Sequence, residues 1–265
     1  MTGPSAGATR KKSLSSDLPL ESLIHDRAPE VLIAVAGDSR LTEDLALSLL
    51  NRRDLPAKAL EELNKNGSVI KHRKVQLAIV RHPRTPRHVS VPVIRHLYAF
   101  ELMEVSLFPA VAADVKRLAE ETLISRLKTI SSGERFGLAK QSCGRVAAAL
   151  LLDQEERVMR AALANPYMTE VLIVNALRSA EATEILVPAV CHHEKWSRRN
   201  EIKIVLLGHE KTPFAQVLQF AGELPLRVLK DVLRTSRLSD NVKNYLHTVV
   251  EQRTARAKPD DPMTR

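Results

Sequence analysis

A short phrase recurs along this chain at close to 43 residues. Four segments, 35–42, 80–86, 163–169 and 207–213, each end an apolar helical run, cross a tight polar turn and begin another run. Their threonines, Thr42, Thr85, Thr169 and Thr212, are spaced by 43, 84 and 43 residues, so one unit is hidden in the central gap. Its turn is expected at Ile130-Ser131-Ser132-Gly133, with a serine in the threonine's place. A fixed period of this length means stacked supersecondary units in place of one closed globule.

The runs between the turns are helical in pattern. Apolar residues recur at three and four, as in Leu45, Leu49 and Leu50 or Val171, Leu172, Val174 and Leu177, and no sustained alternation suggests a strand. Each unit divides into about three runs, clearest at 169–178, 182–192 and 197–207. The central helices are expected near 132–141, 143–152 and 155–164. The spacing predicts structural N-caps at Thr42, Thr85, Thr169 and Thr212, with Pro86 and Pro213 in the first helical position. Asn165 and Gly208 suit a left-handed residue at a helix exit. The fold class is therefore all-α, an α-solenoid of about five two- to three-helix repeats. Residues 1–28 and 254–265, polar and charged, read as disordered tails around a helical-repeat domain at 29–253.

Two phrases resemble the armadillo, HEAT and leucine-rich-variant repeats. One is Glu155-Glu156-Arg157-Val158-Met159-Arg160-Ala161-Ala162-Leu163-Ala164-Asn165-Pro166-Tyr167-Met168-Thr169, echoed from Lys74 to Pro86 with His82 for the Asn. The other is Leu186-Val187-Pro188-Ala189-Val190, echoed at Leu107-Phe108-Pro109-Ala110-Val111. The resemblance implies a right-handed solenoid and a non-catalytic scaffold that binds a protein on its concave face. It also implies that the third helix of each unit lines that face, near 70–80, 116–129, 155–164, 197–207 and 239–252. Some leucine-rich-variant proteins carry an N-terminal iron–sulfur cysteine cluster. Here no cysteine precedes Cys143, so the resemblance implies no cofactor.

The net charge of +9 favours an anionic partner. It is concentrated in residues 67–100, which hold Lys71, Arg73, Lys74, Arg81, Arg84, Arg87 and Arg95 and no Asp or Glu. That segment is read as a partner-binding basic patch, weighed against a plain solvated face. Arg198 and Lys203 join it from the expected inner helix at 197–207. A second group, Arg227, Lys230, Arg234 and Arg237, reads as a solvated outer face.

Little else carries chemistry. His192-His193-Glu194 lacks the two-His, four-apart spacing of a metallohydrolase helix, so no metal is expected. Cys143 and Cys191 read as small core residues, and two thiols without a disulfide framework suggest a reducing, cytoplasmic setting. No apolar run is long enough to span a bilayer. The sequence thus points to a non-enzymatic protein-binding scaffold for an acidic partner. The alternative is nucleic-acid binding through the basic patch, although an aromatic fraction of 3% leaves little for stacking on single strands. Oligomeric state is not legible.

Overall fold

The computed structural model describes residues 19–235 and 239–257. All the regular structure among them is helical. The helices are α1 (Leu20–Leu23), α2 (Pro29–Ala36), α3 (Glu43–Leu50), α4 (Ala57–Lys65), α5 (Arg73–Arg81), α6 (Arg87–Ile94), α7 (Ala99–Leu107), α8 (Ala113–Arg126), α9 (Ser132–Gln141), α10 (Gly144–Leu150), α11 (Glu156–Leu163), α12 (Glu170–Arg178), α13 (Leu186–His192), α14 (Asn200–Leu207), α15 (Phe214–Glu223), α16 (Leu226–Thr235) and α17 (Asp240–Ala257). A 3₁₀ turn, Leu127–Thr129, follows α8. The helices divide into two compact units, one through Thr122 and one from Leu123.

The expected tails are shorter than the sequence suggested. Leu20 and Ile24 are buried, and α1 packs on α2, so ordered structure begins before residue 29. At the other end α17 runs on to Ala257. Apolar spacing alone missed the first because α1 offers only one turn of pattern. Residues 1–18 and 258–265 of the expected tails lie outside the described residues.

In the first unit, four helices pack on the one two places later: α2 on α4, α3 on α5, α4 on α6 and α5 on α7. The second unit repeats the rule, with α9 on α11, α10 on α12, α11 on α13, α12 on α14, α14 on α16 and α15 on α17. Helices start about every 14 residues, since Pro29 to Ala113 covers six helix steps in 84 residues. The packing step is therefore two helices, about 28 residues, and the 43-residue phrase spans three. This corrects the three-run unit. It also separates the expected inner helices: α11 belongs with α9 and α13, whereas α14 belongs with α12 and α16. Every third helix cannot line one face when neighbours alternate.

The core is aliphatic. Leu49, Leu60, Leu63, Val75 and Ile79 are fully buried in the first unit, and Leu138, Val146, Met159, Ile173 and Leu206 in the second. Each such side chain contributes about 1.5–3 kcal/mol by leaving water.

Loops are stacked as firmly as helices. In the first unit, Arg52 Nη1 donates to the carbonyls of Ile24 and Asp26, both at 2.7 Å. His82 Nε2 lies 2.8 Å from the Arg52 carbonyl, and Arg84 Nη1 donates to the Asp54 carbonyl at 3.0 Å. Loops 24–28, 51–56 and 82–86 thus form one row. A second row joins loops 37–42, 66–72 and 95–98. Asn66 Nδ2 donates to the carbonyls of Ala36 (3.0 Å) and Asp38 (2.9 Å), and Arg73 Nη2 to His96 (3.1 Å). Helix ends leave carbonyls without intrahelical partners. Here the next loop in the row supplies the donors.

The second unit uses the same device. Asn165 Nδ2 donates to Ala139 (2.8 Å) and Ser142 (3.1 Å), and buried Trp196 donates through Nε1 to Leu163 (3.0 Å). The turns approach so closely that a Cβ on Gly144 would stand 2.5 Å from the Tyr167 carbonyl oxygen, so only glycine fits.

The threonine turns do two different jobs. Thr42 is an N-cap as expected, accepting from the Leu45 amide at 3.4 Å. Ser131 caps α9 in a reciprocal box with Glu134. Thr85 and Thr212 are not N-caps. Their hydroxyls donate backwards to Ile79 (2.5 Å) and Leu206 (2.6 Å), closing the preceding helix. The reason is that Pro86 and Pro213 occupy the N-cap position itself and push each threonine one residue too far out. Thr169 stands at the N-cap of α12 without a side-chain bond. Gly208 is right-handed, at φ −83°, so the expected left-handed exit is absent there.

Candidate functional site

The basic segment does not form one patch. α5 separates its two ends by nine residues, roughly 13 Å of helix. Lys71, Arg73 and Lys74 sit at the start of α5, and Arg95 at the end of α6, all along the second loop row. Arg81, Arg84 and Arg87 surround the α5–α6 turn in the first row.

Several of these cations are already committed. The Arg73 guanidinium forks onto Glu101, donating through Nε at 3.0 Å, and lies 3.5 Å from the Tyr98 ring centroid. Burial works against the Glu101 carboxylate, yet Arg73 and the Tyr98 amide together hold its pKa below the ordinary glutamate value. Arg81 pairs with Glu104 at 3.2 Å and covers the Phe108 ring at 4.1 Å. Arg87 reaches Asp114 at 3.3 Å, with both partners well exposed. The histidines are occupied as well: His72 meets Glu43 at 3.1 Å, and His88 meets Glu61 at 3.3 Å. Three of the seven cations in an acid-free stretch of sequence, Arg73, Arg81 and Arg87, are thus paired with carboxylates from packed neighbours.

The second-unit candidates fare no better. Lys203 is 7% exposed and donates to Glu223 at 2.5 Å, which lowers the Glu223 pKa. It is an internal tie of α14 to α15, not a contact for a partner. Arg198 stands exposed, 3.9 Å from Glu194. Arg227, Lys230 and Arg234 are exposed on α16, whose buried side chains are Leu229 and Val232, so they occupy a solvated face. Arg237 lies outside the described residues.

Three uncommitted cations lie in the first loop row. Arg84 is exposed, and its one bond is to a backbone carbonyl. Arg27, in loop 24–28, and Arg53, in loop 51–56, are also exposed. Among the described residues none of the three forms an ion pair, though Arg84 helps to lower the pKa of nearby Asp54. Sequence reasoning missed Arg27 and Arg53 because they lie outside the acid-free segment. The available signal was a 28-residue one, since each arginine stands two or three residues before Pro29, Pro56 or Pro86. Lys71 and Lys74 are exposed on α5, and the described residues offer them no carboxylate either.

The turn histidines form a second constellation. His82 is buried; its Nδ1 accepts from the Arg84 amide at 3.2 Å, so its proton sits on Nε2 and is donated to Arg52. His193 and His209 accept in the same way from Lys195 and Lys211, each at 3.2 Å. Burial, seconded by Arg84, Lys195 and Lys211 respectively, lowers the pKa of all three. These are structural imidazoles, held neutral. His192 Nδ1 instead turns to the Pro188 carbonyl at 2.7 Å. Among the described residues, no three His, Cys, Asp or Glu side chains converge as a metal site would require. Cys191 is buried, which pushes its thiol up to about 11 and makes it a poor nucleophile.

Two open clefts flank the α14–α15 turn in the second unit, of about 540 and 590 Å³. They share Gly208, His209 and Glu210. Among the described residues, no helix is long and apolar enough to cross a membrane. No family model matches this chain, and no curated protein or solved structure does either.

Proposed function

We propose that this chain is a non-catalytic helical-repeat scaffold, a solenoid of armadillo or HEAT character, that binds an acidic protein partner. One observation carries the reading. In both units, helix packs on second-next helix while buried side chains lock successive loops in rows. Such a stack presents long, regularly spaced surfaces and needs no enclosed pocket. The charge supplies the sign of the partner, and the aromatic fraction of 3% disfavours a single-stranded nucleic acid. The repeat step in this reading is two helices, and binding is assigned to cations that the fold leaves uncommitted rather than to every third helix.

The test is equilibrium binding of the full chain to polyglutamate, polylysine and a DNA duplex, at low and physiological salt. Polyglutamate should bind and polylysine should not. A duplex that binds more tightly than polyglutamate, with a steep salt dependence, would replace the protein partner with a nucleic acid. Absence of binding to either polyanion would end the acidic-partner reading.

A further inference from the structure

We propose that the first loop row, built from loops 24–28, 51–56 and 82–86, docks an extended acidic polypeptide, with Arg27, Arg53 and Arg84 each taking one carboxylate. This rests on the acidic-partner reading above and gives it a place. Each loop contributes one exposed guanidinium; among the described residues none of the three forms an ion pair, although Arg84 stands near enough to Asp54 to help lower its carboxyl pKa. The row's own acids are engaged. Asp54 is gripped by Arg52 through two bonds, at 3.1 and 2.8 Å, and Asp26 accepts the Ala28 amide at 2.8 Å. Arg52 in turn is spent on the Ile24 and Asp26 carbonyls. Asp54 keeps an exposed carboxylate, so the row carries outward the guanidinium groups of Arg27, Arg53 and Arg84 against one acid. Arg87 stands at the end of the row, held to Asp114 by a weak exposed pair.

Spacing favours a polypeptide. Packed helices lie about 8–10 Å apart, and the ties within the row hold its loops to the spacing of the helices beneath them. A polyproline-type chain rises about 3.1 Å per residue and returns to the same side every three residues, about 9 Å. An acidic residue at every third position would meet one arginine per loop. A guanidinium binds carboxylate through two parallel bonds, which adds geometry to charge. A duplex fits less well, because its affinity grows with the number of phosphates neutralised and this row offers only three exposed guanidinium groups. The loops carry no Phe, Tyr or Trp on which a single strand would stack.

The experiment measures binding of the full chain to a labelled peptide of Glu-Pro-Pro repeats by fluorescence anisotropy. The triple variant Arg27→Glu, Arg53→Glu, Arg84→Glu should weaken binding by about tenfold or more, with the helical signal intact. A matching Arg→Lys triple keeps the charge and should retain most of the affinity, which guards against a folding defect. The control, Lys71→Glu with Lys74→Glu on the second row, should change affinity by less than about twofold. If the control weakens binding more than the arginine triple, the docking surface is overturned and the acidic-partner reading survives. If the wild type binds neither this peptide nor polyglutamate, both fall. If a duplex displaces the peptide at equal phosphate and carboxylate concentration, the row is a nucleic-acid contact and the proposal is overturned.

Discussion

The two loop rows of the first unit solve the same problem with different chemistry. In the second row a neutral side chain, Asn66, does the holding. Both its amide hydrogens go to carbonyls at the end of α2 and in loop 37–42, those of Ala36 and Asp38, and its oxygen accepts from the Ser68 amide (3.0 Å) and hydroxyl (2.6 Å). In the first row the holding is done by a cation, Arg52, and an imidazole, His82. The surface charges differ in the opposite sense. Arg40 and Arg73 in the second row are tied to Asp38 and Glu101, whereas Arg27, Arg53 and Arg84 in the first row are left open. A saturated neutral junction is suited to holding.

The comparison breaks most readily at Asn66. Its replacement by alanine leaves the Ala36 and Asp38 carbonyls without their donor in a buried site and removes four bonds at once. We expect Asn66→Ala to cost about 3 kcal/mol in denaturant unfolding, summing typical penalties for buried unpaired groups. Asn165→Ala in the second unit should cost a similar amount, since Asn165 makes the same bonds to Ala139 and Ser142. A loss below that of His82→Ala would mean that the neutral row is not the firmer one.

The next effect belongs to His82. Its ring is neutral in the fold, because burial, seconded by Arg84, lowers its pKa. A histidine with a depressed folded pKa contributes stability above its unfolded pKa, about 6.5. That contribution is lost as pH falls from there through the folded pKa. His82→Ala should cost about 1–2 kcal/mol at neutral pH. His82→Asn is the sharper variant, because Asn165 shows that an amide can accept from the second-next amide and donate to an earlier loop. It should preserve stability at neutral pH and reduce the fall in unfolding midpoint on acidification. An unchanged acid profile would show that protonation of His82 plays no part, leaving the slope to His193, His209 and the carboxylates whose pKa the fold lowers, such as Glu101 and Glu223.

Helix existence was legible in the sequence, and packing order was not. Apolar residues spaced at three and four placed α9 at 132–141, matching Ser132–Gln141. The turn at Ser131 was legible because serine followed by Glu134 is a local signal. The 28-residue step was hidden because Thr42 and Thr85, though similar in sequence, stand in opposite rows, three helices apart. A three-helix interval in a two-helix stack changes sides at every recurrence. The charge pattern misled for a related reason. Residues 67–100 lack acids along the chain, yet Glu43, Glu61, Glu101, Glu104 and Asp114 reach them from packed neighbours. Windowed charge counts see sequence neighbours, and a stack pairs residues some 20–30 apart.

The smallest effects are expected at the two threonines, and they sharpen the comparison by sign. Thr42 stands in the second row and accepts from the first turn of α3, at the weak distance of 3.4 Å. Thr85 stands in the first row and donates to the last turn of α5. Alanine at either position should cost about 1 kcal/mol or less and would not tell the roles apart. Aspartate does. At position 42 a carboxylate accepts amide hydrogens and complements the positive helix start, so Thr42→Asp should leave stability unchanged or slightly raised. At position 85 an ionised carboxylate has no proton for the Ile79 carbonyl and meets the negative end of α5. Thr85→Asp should therefore destabilise by about 1 kcal/mol, with the penalty shrinking in acid as the group becomes protonated. Thermal unfolding of the two variants at neutral and acidic pH reads the difference directly. Equal shifts at both positions would mean that the threonines share one role, and that the two rows are not distinguished at their turns.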